Sequence, residues 1–198
     1  DDLGYGDLSC YGHPTIRTPH LDQMATEGMR LTQFYVAANV CSPSRAALLT
    51  GRLPIRNGVY PGVFRTNSAS GLPHSEFTMA ELLKTKGYQT AIVGKWHLGS
   101  QPAYLPTKQG FDYYFGIPYS NDMGLAGTFA NDTSMAVYRV KNPPLPLYKN
   151  DVLLENEPDQ TRLTKRFTDE VIRFINDKKD QPFFVYYVPG ATHAPHHP

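Results

Sequence analysis

The 198-residue chain holds only two cysteines, Cys10 and Cys41, which excludes a small scaffold stapled by a disulfide framework. Two such residues can pair or stay as buried thiols, so they fix no redox compartment. An excess of charge of either sign is also missing, since 19 Lys and Arg stand against 18 Asp and Glu. That balance argues against nucleic acid held by bulk charge and leaves room for a local group of cations around an anion. No apolar run approaches the roughly 20 residues that span a bilayer. Internal repeats and low-complexity tracts are absent as well. The length suffices for one well-buried domain or for part of a larger one.

Local patterning supplies the elements. Thr18 before Pro19, with Gly28 beyond, predicts a short helix over 19–27. The β-rich run Arg30 to Val36 reads as a strand. Ser44 to Thr50 reads as a helix stopped by Gly51. Thr78 and Glu81 have capping-box spacing, which predicts a helix over 78–86 ended by Gly87. Tyr88 to Val93 then reads as a buried strand. Apolar residues at 163, 167, 171, 174 and 175 give helical periodicity to 160–178. Phe183 to Val188, bounded by Pro182 and Pro189, has the form of a buried parallel strand. Helix alternating with strand predicts an α/β sandwich with a mainly parallel central sheet flanked by helices. The stretch 99–160, rich in Gly, Pro, Asn and Tyr, reads as long surface loops. The chain opens on the acidic turn Asp1-Asp2-Leu3-Gly4 and closes at His193-Ala194-Pro195-His196-His197-Pro198, just after an apolar strand. The expectation is one incomplete domain over 1–198, truncated at both ends.

Ligands of such sheets sit beyond the carboxyl ends of the strands, and the polar candidates fall there. Cys41-Ser42-Pro43-Ser44-Arg45-Ala46-Ala47-Leu48-Leu49-Thr50-Gly51 puts a cysteine immediately before a helix and an arginine one turn in. A helix N-terminus and a nearby cation both favour negative charge, so Cys41 reads as a thiolate nucleophile or, more blandly, as a small buried residue. Lys95 and His97, in Gly94-Lys95-Trp96-His97, and His193, in Ala191-Thr192-His193-Ala194-Pro195, each follow a strand. Taken singly, they read as solvated surface residues. Adjacent carboxylates such as Asp1 and Asp2 usually occupy exposed turns.

These motifs together resemble the type I sulfatases, and the segments at 54–63, 117–120 and 191–195 resemble the arylsulfatases and N-acetylgalactosamine-6-sulfatases within that family. The resemblance implies an alkaline-phosphatase-like fold and hydrolysis of sulfate monoesters. It implies that Cys41 is oxidised to formylglycine by a formylglycine-generating enzyme, and that the hydrated aldehyde attacks sulfur. Arg45 would steady the hydrate, Lys95 and Ser120 would bind sulfate, His97 would contact residue 41, and His193 would bind sulfate and protonate the leaving oxygen. Asp1, Asp2 and residue 41 would hold Ca2+ or Mg2+, with two further ligands and a second lysine from later sequence. The implied substrates are sulfated small molecules, glycans or sulfolipids, in a lysosomal or secreted protein that can be a homo-oligomer. Asn131-Asp132-Thr133 fits a glycosylation acceptor. His196 and His197 read as surface residues. The alternatives left open are a phosphatase or phosphonate hydrolase of the same superfamily, and a non-catalytic binding relative.

Overall fold

The computed structural model describes residues 3–125, 142–194 and 196. Asp1, Asp2 and the acceptor at Asn131 lie outside the described residues. The chain divides into two compact units, Asp1–Val36 and Ala37–Pro198.

The first unit carries two 3-10 turns, Tyr5–Asp7 and Ser9–Tyr11, and helix α1, Pro19–Glu27. The bounds of α1 are those that Thr18, Pro19 and Gly28 predict. Thr18 lends no side-chain cap and instead donates to Asp22 Oδ1 at 2.9 Å, which also takes the Cys10 N–H at 2.8 Å. The predicted strand at 30–36 is not formed. High β-propensity needs a ladder partner, and this unit offers none among its described residues.

In the second unit the order is helix α2 (Cys41–Thr50), α3 (Pro54–Asn57), α4 (Met79–Lys84) and strand β1 (Gln89–Lys95). Strands β2 (Tyr113–Ile117), β3 (Pro146–Lys149) and β4 (Val152–Asn156) follow, then helix α5 (Leu163–Lys178) and strand β5 (Phe183–Val188). The sheet order is β4-β3-β2-β1-β5, with β2 and β5 both parallel to β1 and only β3 reversed. The mainly parallel sheet is therefore as expected. Three strands, β2 to β4, lie inside the stretch read as loops. They are four or five residues long, and although β3 and β4 form a tight hairpin, runs this short carry little periodicity, so local patterning hides them. Strand β5 keeps its predicted bounds but lies at the sheet edge among the described strands and is only half-buried.

Alternate residues of β1 feed two cores, one on each face. Ile92 and Trp96 join Ala46, Leu49 and Ala80 from α2 and α4, while Val93 joins Phe115, Leu163 and Phe167 beside α5. The capping box of α4 is present, with Glu81 N–H to Thr78 Oγ1 at 3.1 Å and Thr78 N–H to Glu81 Oε2 at 2.7 Å. That helix ends at Lys84, two residues before the expected stop. At the sheet's carboxyl end the parallel strands come very close. A Cβ at Gly94, which has φ 117°, would fall 1.8 Å from the Val188 carbonyl oxygen, and one at Gly116 would fall 1.8 Å from that of Gly94. Only glycine fits such a spacing.

Candidate active site

Helix α2 begins at Cys41 itself, three residues before the predicted start, with Val40 as its extended cap. Cys41 is thus the first residue of the helix, where backbone N–H groups lack intrahelical partners. Gly51, left-handed at φ 65°, closes the helix by donating to Ala47 O at 2.9 Å. One turn in, the Arg45 side chain is buried, and its Nη1 donates to the carbonyl of Lys95 at 2.7 Å. The helix bearing the cysteine is thereby tied to the end of β1.

Lys95 is the last residue of β1 rather than one that follows it. It is 0% exposed. Its Nζ donates to Cys41 Sγ at 3.2 Å and to Ser120 Oγ at 3.1 Å. Beyond the strands the β1–β2 pairing continues, with Trp96 N–H to Ile117 O at 2.9 Å and His97 N–H to Pro118 O at 3.1 Å. This extension brings Lys95 and Ser120 together. His193 arrives from the turn after β5, where its N–H meets Gly190 O at 3.0 Å, and its ring is hydrogen-bonded to Cys41.

Four side chains from α2, β1 and the segments after β2 and β5 thus converge, and Arg45 braces them. The charges respond accordingly. Burial pushes the Cys41 thiol up, but the hydrogen bond from His193 and the positive charges of Lys95 and Arg45 outweigh it and bring it to about 7. Burial, then Arg45, push Lys95 down to about 8 against the pull of Cys41 and Asp122. The hydrogen bond to Cys41 raises His193 above its ordinary value, partly offset by burial and Lys95.

His97 is placed differently. It is 1% exposed and adopts a left-handed φ of 61°, rare for a residue with a side chain. Its Nε2 lies 3.0 Å from the carbonyl of Phe64, and its Nδ1 is buried with no hydrogen-bond partner among the described residues. Burial, with Lys95 and Arg45 nearby, holds its pKa well below the ordinary histidine value, so the ring is neutral.

Asp1 and Asp2 lie outside the described residues, and no group of three or more His, Cys, Asp or Glu among the described residues could hold a metal. A cavity of about 450 Å³ opens beside the cluster, lined by Asn121 and Thr192, neighbours of Ser120 and His193, and floored by Ile117, Leu163 and Phe167. That apolar floor suits no anion, and the polar cluster next to it does.

Two residues of the site, Asp122 and Phe64, escape the sequence motifs, and a third, Ser42, lies within one without an assigned role. Asp122, in the turn after Ser120, acts electrostatically on both Lys95 and His193. Ser42 and Phe64 meet His97 through backbone contacts. Asp122 lies two places from Ser120 in sequence, a local signal for it, while nothing local marks Phe64.

The sulfatase family model matches residues 1–198. Human arylsulfatase A is 45% identical over 209 aligned positions, covering 98% of this chain and 40% of that protein. Rat N-acetylgalactosamine-6-sulfatase is 42% identical over 213 positions, covering 98% and 38%. The chain spans about 40% of the length of the curated relatives it matches. Among solved structures, the PsFucS1 sulfatase from Pseudoalteromonas sp. superposes with a TM-score of 0.82 at 30% identity, over 100% of this chain and 43% of that one. A protein crystallised with its substrate D-glucosamine-2-N,6-O-disulfate superposes at 0.68 and 30% identity, over 98% and 33%.

Proposed function

The chain belongs to the sulfatase family, and from that premise we propose that it forms part of the catalytic domain of an enzyme hydrolysing sulfate monoesters, with residue 41 as nucleophile. The observation that carries this reading is the meeting of Lys95, Ser120 and His193 around Cys41 at the start of a helix. An isolated reactive thiol needs no second anion-binding group, whereas a sulfate needs several donors around its oxygens.

Oxidised to formylglycine by a formylglycine-generating enzyme, residue 41 supplies, as its hydrate, a hydroxyl for attack on sulfur and another whose deprotonation releases the sulfate. Donors now engaged with Sγ fit an oxygen in that place. Lys95 neutralises charge on the sulfate while Ser120 orients it. His193, its proton held more firmly than in a free imidazole, protonates the departing alcohol oxygen. Arg45 fixes the helix start, and neutral His97 offers a proton acceptor. The resemblance further implies a divalent cation, Ca2+ or Mg2+, which would supply further positive charge to the sulfate.

Relatives named as N-acetylgalactosamine-6-sulfatase and a neighbour bound to a sulfated glucosamine favour a sulfated sugar as substrate. A lysosomal or secreted location belongs to the same proposal. The test is mass spectrometry of the tryptic peptide 31–45 from full-length protein made in its native host. An oxygen in place of sulfur with two hydrogens fewer is expected, together with turnover of aryl sulfate over aryl phosphate. A quantitatively unmodified thiol would sink the mechanism, and faster phosphate turnover would move the protein to a phosphatase role.

A further inference from the structure

The middle residue of Cys41-Ser42-Pro43 has no role in the chemistry above, yet its hydroxyl is engaged twice in the interior. Ser42 is 0% exposed. Its Oγ donates to the carbonyl of His97 at 2.7 Å and accepts the N–H of Phe64 at 3.1 Å. The carbonyl of that same Phe64 lies 3.0 Å from His97 Nε2. A carbonyl can only accept, so Nε2 carries the proton and Nδ1 is left with a bare lone pair. Nδ1 is buried and meets no donor or acceptor among the described residues, so its lone pair is unengaged.

The three residues close a ring. Ser42 ties Phe64 to the backbone of His97, and Phe64 in turn sets the protonation of the His97 ring. The ring also secures a strained backbone. His97 sits at φ 61°, with its N–H fixed by Pro118 O and its carbonyl fixed by Ser42.

We infer that Ser42 is a positioning residue which, by holding the Phe64 carbonyl against His97 Nε2, keeps the lone pair of His97 on Nδ1 as a proton acceptor. The inference rests on the reading of His97 as the base of the site, and it goes beyond that reading by naming what sets its tautomer. Without the hydroxyl, the Phe64 N–H and the His97 carbonyl both lose a buried partner, and the segment before Phe64 is free to draw its carbonyl away. The ring then exchanges tautomers, and the fraction with Nδ1 protonated cannot accept.

The test reads the ring directly. Full-length protein with 15N-labelled histidine, left with Cys41 unmodified, is expected to show a single Nε2–H tautomer for His97 by NMR. Ser42→Ala should show a mixture, and Ser42→Thr, which keeps the hydroxyl, should restore the single form. In matured enzyme, kcat per mole of aldehyde should fall by about tenfold or more in Ser42→Ala, the usual size for loss of such a supporting hydrogen bond, while KM is little changed because Lys95, Ser120 and His193 are intact. An unchanged tautomer in Ser42→Ala overturns the inference. If Ser42→Ala does not fold, a folded Ser42→Thr variant with a mixed tautomer overturns it equally, and one with the single form supports it. Absence of sulfate turnover by the unsubstituted enzyme would defeat the proposed function while leaving the NMR result to decide the role of Ser42.

Discussion

A lysine with no solvent exposure holds its charge only through its neighbours, and Lys95 is such a residue. Its pKa is lowered to about 8, so the charge is present below that pH and fades as pH rises through it. Cys41 raises the value, and in the matured enzyme that influence is gone, leaving the pull of Asp122. Sulfate binding is therefore expected to weaken as pH rises toward about 8, and to do so at lower pH in the matured enzyme than in the Cys41 form, as read by inhibition with inorganic sulfate against pH. Lys95→Ala should lower kcat/KM by about 10²–10³-fold, the cost of removing one preorganised donor. At this scale the motifs made residues legible: Cys41, Lys95, Ser120 and His193, each singled out in the sequence, come together. Ser42 and Phe64 were not, because their meaning lies in contacts with His97 that are 55 and 33 residues apart in sequence.

Among the elements, legibility followed the strength of local chemistry. Helix α1 and strand β5 were readable to the residue because proline and glycine punctuate both. The start of α2 was misjudged because Pro43 invites a later beginning, although proline is equally at home one or two places inside a first turn. Strand propensity over 30–36 misled, since a strand exists only with its partner, and the short strands β2 to β4 were concealed for the converse reason. Strand β1 carries the heaviest steric demand. Gly94→Ala would drive a methyl group into the Val188 carbonyl, at 1.8 Å, from a backbone angle that L-residues avoid. The expected cost exceeds about 4 kcal/mol, enough to leave little folded protein. Denaturant titration of the variant, or its failure to accumulate in soluble form, would report this. A variant with an unshifted midpoint would mean that β1 and β5 are not so closely apposed.

For the molecule as a whole, α/β layering with a mainly parallel sheet was evident from helix–strand alternation, and the site lies beyond the carboxyl ends of β1, β2 and β5, where such sheets collect their ligands. The relatives are more than twice as long as this chain. The most consequential residue for the whole is one that serves twice. The carbonyl of Lys95 receives Arg45 from α2, while the ammonium of the same residue reaches position 41 and Ser120. Backbone and side chain of one strand terminus thus join scaffold to chemistry with no flexible spacer between them. Warming cannot loosen the site while sparing the sheet. Residual activity plotted against temperature should overlay the loss of β-sheet circular dichroism, and a site that failed well before the sheet melted would show the coupling to be weaker than these bonds require.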